Sequence, residues 1–266
     1  MSGRLDAELA ARGLARSRTH AAQLIAAGLV TVDGRGVVKP SVRVDDDARI
    51  DVAVSDHYVS RGAHKLIAAL DAFAVDPGGR VALDLGASTG GFTQVLRERG
   101  ATPVMAVDVG HGQLSPAVAA DIGVVSVEGY NVRFMTADSL AAATGVLERP
   151  SLVTGDLSFI SLHHVLPAVV GTAAPAADVL LLIKPQFEVG RTAVKGGLVT
   201  DPALRSDAVH GVLWAAWDVG LRTAGLIASP IAGTHGNQEY VAWFSDTRGA
   251  DPSEWESTVT RLTGSR

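Results

Sequence analysis

The sequence contains no cysteine, only three methionines, and 5% aromatic residues. The missing cysteine excludes disulfides, thiolate-bound metals and a cysteine nucleophile, and it fits a reducing compartment. Long apolar runs are missing too. The greasiest stretch, residues 165–183, is broken by Pro167, Pro175 and Asp178. It is expected to form a buried helix, a turn and a strand, with no membrane span. Residues 1–10 carry Arg4, Asp6 and Glu8 without an apolar core, so no secretory signal is expected and a cytoplasmic setting is. Positive charge is not in excess: 23 Lys and Arg face 28 Asp and Glu, a net charge of -5 and a pI near 5.9. That balance argues against nucleic-acid affinity spread over the whole surface, while a local basic face stays compatible with it. What remains is a soluble globular composition, 47% hydrophobic and 19% charged over 266 residues. It is enough for one large domain and one small one.

Charge is distributed unevenly at the start. Arg4, Arg12, Arg16, Arg18, Arg35, Lys39 and Arg43 dominate the opening, and then Asp45, Asp46, Asp47, Asp51 and Asp56 reverse the sign. Leu5 and Leu9 mark a short helix stopped at Gly13. Ser17 is placed to cap a second helix, with Ala21, Leu24 and Ile25 on one face and Gly28 as its stop. Residues 29–32, the turn Asp33-Gly34, residues 37–38 and residues 49–52 read as short strands. A small α+β module over residues 1–55 follows.

This module resembles the S4-type RNA-binding domain. The resemblance rests on Arg4-Leu5-Asp6, residues 13–18, residues 22–25, residues 28–34 and Lys39-Pro40-Ser41. It implies that basic side chains, here Arg4, Arg16, Arg18 and Lys39, grip RNA phosphates and shape. Phosphate contacts supply most of the affinity in such recognition.

Residues 56–60 are expected to be a linker, with Ser60 capping a helix over 61–73. Beyond Pro77-Gly78-Gly79, strands over 81–84, 104–108, 124–127, 152–156, 179–183, 221–228 and 239–244 alternate with helices. One of those helices opens at Asp201-Pro202. Such alternation means a mainly parallel sheet covered on both faces, with ligands beyond the carboxyl ends of the strands. Residues 84–93, Asp-Leu-Gly-Ala-Ser-Thr-Gly-Gly-Phe-Thr, turn sharply from strand into helix and present backbone N–H groups. Asp108 ends the next strand, where α/β cofactor sites place an acid for ribose hydroxyls. No Lys-Ser/Thr follows the glycines, so this is not a P-loop. The pattern resembles the S-adenosylmethionine site of Rossmann-like methyltransferases, with Asp84, Gly86, Ser88, Gly90, Gly91, Phe92, Thr93, Asp108 and Asp156 as implied cofactor contacts. Another nucleotide site, or a turn that binds nothing, is the alternative reading of the loop.

Four further residues serve the local fold poorly. Lys65 lies near a helix start, one turn after Arg61, where like charges and the helix dipole both disfavour it by a few tenths of a kcal/mol. Asp156 and Lys184 close apolar strands, and Glu239 opens the last one. Taken singly, each is also explained as a cap, a snorkelling lysine or a solvent-facing acid. Together they resemble the Lys-Asp-Lys-Glu tetrad of FtsJ-related RNA 2′-O-ribose methyltransferases. That resemblance implies Lys184 as base, since a lysine among other cations and short of solvent gives up its proton more readily. Asp156 would orient it, while Lys65 and Glu239 would position the hydroxyl. No metal is implied, because a sulfonium is already an activated methyl donor.

Residues 59–66, 156–162, 184–190 and 236–240 resemble the TlyA family, an S4-like domain joined to an FtsJ-like domain over residues 61–266. Its members are named both hemolysin and rRNA methyltransferase. The implied fold is a class I methyltransferase with a mostly parallel seven-stranded sheet. The implied activity is 2′-O-methylation of a cytidine in 16S or 23S rRNA, with rRNA or ribosomal subunits as partner and DNA excluded. Arg61 and Arg133 join the residues expected to touch RNA. A membrane-lytic protein and a non-catalytic ribosome-assembly factor are the competing readings; stable membrane insertion is not expected. In place of a basic-aromatic linker ending in Trp-Val, this chain has Asp56-His57-Tyr58-Val59. Asn131 is a candidate neighbour of the cofactor's adenine, and His111 and His235 sit in glycine-rich loops near the expected cleft. His163 and His164 are adjacent and make a poor metal pair. Residues 188–200, with Arg191 and Lys195, are either a segment that closes over RNA or a surface loop.

Overall fold

Residues 2–15, 17–26, 28–37, 39–45, 48–52, 57–190, 194, 196–233 and 236–265 are described by a computed structural model, without the side chains of Ser2 and Arg35. The chain divides into two compact units, residues 1–57 and 58–266.

In the first unit the apolar positions of two short helices, α1 (Leu5–Ala11) and α2 (Arg18–Ala26), face each other. Leu5, Leu9, Ala21, Leu24 and Ile25 form its core with Val30, Val44 and Ile50. The Ser17 hydroxyl accepts from the N–H of His20 at 3.1 Å, so the expected cap of α2 is made. Gly13 and Gly28 end the helices at φ of +70° and +72°. Strand β2 (Val30–Val32) pairs antiparallel with β3 (Arg35–Gly36) and β5 (Ile50–Val52). A second pair, β1 (Ser2–Arg4) with β4 (Arg43–Asp45), has no periodic signature in the sequence and was not expected. Three residues are too few to alternate legibly.

The second unit holds a seven-stranded sheet in the order β11-β12-β10-β9-β6-β7-β8. These are β6 (Ala82–Leu85), β7 (Val104–Val107), β8 (Val124–Val127), β9 (Leu152–Gly155), β10 (Asp178–Ile183), β11 (Arg222–Ala228) and β12 (Tyr240–Ser245). All neighbours are parallel except β12, which runs against both β10 and β11. The continuous apolar run of β10 is explained by burial on both faces. Val179, Leu181 and Ile183 pack beneath α7 (Leu166–Thr172) and α9 (Pro202–Asp218). Leu180 and Leu182 face the opposite layer, where α3 (Ala63–Phe73) and α4 (Gly91–Glu98) supply Leu66, Leu70, Val95 and Leu96. Each such side chain taken from water contributes roughly 1.5–3 kcal/mol before entropy is counted. Asp201 caps α9, accepting from the N–H of Ala203 at 2.9 Å.

Two local expectations change. Helix α3 begins at Ala63, with Gly62 ahead of it and no side-chain cap, so Ser60 and Arg61 belong to the turn before the helix. Tyr58, expected in a linker, packs against the core of the second unit. The N–H of Val59 donates to the Gln94 side chain at 2.9 Å, which fastens this segment to α4.

Candidate active site

Register alone brings the four conspicuous residues together. Antiparallel pairing sets Ile183 opposite Tyr240, so Lys184 and Glu239 are the next positions beyond that pair. Parallel pairing sets Gly155 beside both Leu85 and Leu181, which puts Asp156 at the same sheet edge as Gly86 and Lys184. The chain leaves β6 toward β7 on one side, while β9 continues toward β10 on the other. The crevice between β6 and β9 is therefore the switch point at which doubly wound sheets bind ligands. Helix α3 brings Lys65 to the same group.

The side chains form one chain of contacts. Lys65 Nζ donates to Glu239 Oε2 at 2.6 Å and to Asp156 Oδ2 at 3.5 Å. Lys184 Nζ lies 2.6 Å from Asp156 Oδ1 and donates to Ser158 Oγ at 2.8 Å. Oδ1 has no directed hydrogen bond, so its contact with Lys184 is an ion pair with poor angular geometry. Glu239 also accepts from Gln186 Nε2 at 3.4 Å. The Lys65 and Glu239 side chains are 8% and 2% exposed, and Asp156 keeps 22%. Asp156, the most open of the three, lines the cleft. The sequence suggested that Lys184 sits among cations; the structure instead places the Asp156 carboxylate between it and Lys65.

A cleft of about 310 Å³ opens over these groups, lined by Arg61, Lys65, Gly86, Ser88, Gly91, Phe92, Asp156 and Lys184 among others. A second cavity of about 500 Å³ shares Gly86, Ser88, Asp156 and Ser158 with it, and extends past Asp108 to Tyr130, Asn131 and Phe159. Both oxygens of Asp108 accept backbone N–H groups, from Ser88 at 2.8 Å and Gly110 at 2.7 Å. This fixes the carboxylate at the cavity wall with lone pairs left over. Ser88 sits at φ +48° and Gly86 at φ +79°. A Cβ on Gly86 would come within 3.1 Å of Leu157 and 3.2 Å of the Asp156 carbonyl. A Cβ on Gly91 would meet the Ser60 hydroxyl at 2.1 Å. The glycines thus permit close backbone approach where the two cavities join.

Asp84, Gly90 and Thr93, grouped by the sequence with the cofactor contacts, lie beneath this wall. Thr93 Oγ1 donates to Asp84 Oδ2 at 2.6 Å, and Thr154 Oγ1 to Oδ1 at 3.3 Å. Burial pushes the Asp84 carboxyl up to about 7, against the pull of these hydroxyls. Gly90 turns at φ +96° against Leu114 and Val118.

Of the residues expected to touch RNA, Arg4 and Arg18 both reach Asp6 in the first unit, and Lys39 is exposed. Arg16 lies outside the described residues. Arg61 is exposed at the mouth of the smaller cleft, and Arg133 is exposed with its guanidinium 5.6 Å from the Phe134 ring centre. His111 packs at Gly129, away from both cavity walls. Asp56, Arg191, Lys195 and His235 lie outside the described residues. Among those described, no cluster of His, Asp and Glu is arranged to hold a metal.

Three contributors were not singled out by the sequence. Ser158 holds Lys184. Glu188 accepts from Ser161 Oγ at 2.6 Å and the Leu162 N–H at 3.0 Å, its carboxyl pushed up by burial. Asn237, buried, accepts from the Val199 N–H at 3.0 Å and donates to the Gly197 carbonyl at 2.7 Å, so residues 197–199 are tied to the loop that carries Glu239. Its sequence signal was its place in residues 236–240, one of the segments that carry the family resemblance, which gave it no role.

Comparison with known proteins agrees with this architecture. The FtsJ-like methyltransferase family matches residues 58–245, and the S4 domain matches residues 3–50. The 16S/23S rRNA (cytidine-2′-O)-methyltransferase TlyA of Mycobacterium tuberculosis is 50% identical over 91% of this chain and 89% of that protein. Hemolysin A of Brachyspira hyodysenteriae is 36% identical over 91% of this chain and 99% of that protein. The structure of a putative hemolysin from Streptococcus thermophilus superposes with a TM-score of 0.76 at 34% identity, covering 99% of this chain and 96% of that one. With both domains matched in order and half of the residues identical over nearly the whole chain, the chain belongs to the TlyA family, an FtsJ-like methyltransferase preceded by an S4 domain.

Proposed function

We propose that the protein methylates the 2′-oxygen of a cytidine ribose in 16S or 23S rRNA, with S-adenosylmethionine as donor, where ribosomal subunits are found in the cytoplasm. The observation that carries this reading is the unbroken contact chain Glu239–Lys65–Asp156–Lys184 at the mouth of a glycine-walled double cavity.

The residues present fit the donor. Asp108 offers acceptor lone pairs suited to a ribose diol, the loop of residues 86–91 admits a ligand against its backbone, and Asn131 stands at the far end of the larger cavity. When bound, S-adenosylmethionine supplies a methyl group already activated by a sulfonium, so the protein need only prepare the acceptor. Lys184 in its neutral form, its own proton having first passed to solvent, is the group placed to take the 2′-hydroxyl proton, with Ser158 and Asp156 holding its Nζ at the cleft. Asp156 offsets the positive charges gathered around it. Lys65, pinned by Glu239, is positioned to donate a hydrogen bond to the acceptor oxygen. Arg61 at the cleft mouth and the basic side chains of the S4 domain would hold the RNA backbone. A target nucleotide in a helix must be extruded to reach the cleft, at a cost of a few kcal/mol that RNA contacts offset.

The test is transfer of labelled methyl to separated ribosomal subunits and naked rRNA by wild type and Lys184→Ala. Label on a 2′-oxygen that falls by about 10²–10⁴-fold in the variant, with cofactor binding retained, is the expected result. Label undiminished in Lys184→Ala overturns the role given to Lys184, and bound cofactor without label on any particle overturns the substrate.

A further inference from the structure

The S4 unit buries one carboxylate between two exposed arginines. Asp6 is 6% exposed, whereas the side chains of Arg4 and Arg18 are 48% and 61% exposed. Arg4 Nε donates to Asp6 Oδ1 at 3.0 Å and its Nη2 to Oδ2 at 3.2 Å, a bidentate fork. Arg18 Nη2 donates to the same Oδ2 at 3.1 Å. Arg4 is the residue just before α1 and Arg18 the first of α2, so one carboxylate ties the starts of both helices. The segment after Lys39 joins them, with the Asp6 N–H donating to the Pro40 carbonyl at 3.1 Å and the Leu5 N–H to that of Val42 at 2.8 Å. The Arg4 hydrogen bond in particular holds the Asp6 carboxyl down at about 2, so it is ionised at any working pH.

A negative charge among phosphate-binding cations lowers their raw attraction for any polyanion. It also fixes two guanidiniums side by side, offsetting their mutual repulsion. Each is engaged along one edge, and the Arg4 Nη1 edge has no partner among the described residues. Arginine is suited to this because its donors form a rigid planar fork.

Resting on the reading that Arg4 and Arg18 contact RNA, we infer that Asp6 is a specificity-determining residue: it sacrifices general affinity for nucleic acid to present both guanidiniums in one fixed arrangement. RNA whose phosphates match that arrangement is favoured, and RNA whose phosphates do not match it, a regular duplex included, loses by the unfavourable charge. The same carboxylate holding the fold alone would make no such distinction.

The experiment measures binding of the full chain to ribosomal subunits and to a homopolymeric duplex RNA over a range of KCl, for wild type, Asp6→Asn, Asp6→Glu, Arg4→Ala and Arg18→Ala. Asp6→Asn is expected to weaken subunit binding by about tenfold while duplex binding is unchanged or up to about threefold tighter. Asp6→Glu, which keeps the charge but moves it, is expected to fall between for subunits and to leave duplex binding alone. Equal weakening of both targets in Asp6→Asn, or an unchanged ratio, overturns the inference. Arg4→Ala and Arg18→Ala are each expected to reduce the salt slope by about 1. If neither changes affinity or slope, the underlying assignment of these arginines to RNA is what fails; if they do and the Asp6→Asn ratio stays put, the role of Asp6 alone fails.

Discussion

Lys65 and Glu239 show how a tetrad of charges survives burial. Glu239 has Lys65 on one oxygen and Gln186 on the other, and Lys65 has a second carboxylate in Asp156. Removing one partner leaves the other charged and desolvated, so Glu239→Ala is expected to cost about 3 kcal/mol in urea unfolding. Replacing the pair with Lys65→Met and Glu239→Leu together should recover most of that stability and none of the methyl transfer. Asp84 makes a separate prediction. Its folded value near 7 stands above the ordinary value of about 4 for an aspartate. Below pH about 4 both states are protonated; between about 4 and 7 only the unfolded chain ionises, so this group lowers stability as pH rises and levels off above 7. Asp84→Asn lacks that loss. Its stability relative to wild type, read from unfolding midpoints, should rise through the same window. The identity of these charged residues was open to inspection because Glu239 and Asp84 stand at the limits of apolar runs, where α/β sheets place ligands, and Lys65 sits near a helix start that disfavours a cation. Their pairing was not, since Lys65 and Glu239 are 174 positions apart. Asp6 enters the sequence reading only as part of Arg4-Leu5-Asp6, and nothing local shows that Arg18 joins Arg4 on its carboxylate.

At the scale of elements, the site depends on how closely the turn before α3 approaches the start of α4. Gly91 has no room for a side-chain carbon, because the Ser60 hydroxyl already occupies that place. Gly91→Ala is therefore expected to push the turn outward and weaken S-adenosylmethionine binding by about tenfold or more in calorimetry. Adding Ser60→Gly should recover part of the loss. The sequence assigns Ser60 to a helix cap; Gly62 intervenes and the hydroxyl serves contact instead. A second device is Asn237, whose buried amide joins residues 197–199 to the Glu239 loop. Asn237→Ala should leave the sheet intact yet raise the rate of limited proteolysis near residue 197, because two hydrogen bonds and their shielding are lost together.

For the whole molecule, the chain is made of two compact units, residues 1–57 and 58–266. The second has its own sheet, two apolar layers and both cavities. Residues 58–266 alone are expected to fold and bind S-adenosylmethionine as the full chain does, and to lose affinity for ribosomal subunits with a shallower salt dependence. Among the described residues no helix is long and apolar enough to cross a membrane. Erythrocyte lysis by purified protein should be absent in wild type and in Lys184→Ala alike, and its presence in either would revive the lytic reading attached to the name of some relatives.

The alternation of strands and helices in the second unit and the residues at its strand ends were determined by the sequence itself. Periodicity, glycine stops and caps are local, and each is set by a few neighbours along the chain. Only the tertiary structure decided which of those residues touch. Strand order placed β9 beside β6, and the reversed direction of β12 put Glu239 next to Lys184. Helix packing brought Lys65 under both acids, and the meeting of α1 and α2 put two arginines on one aspartate. Long-range pairing depends on the sum of many weak contacts across the core, and no short window of sequence carries that sum.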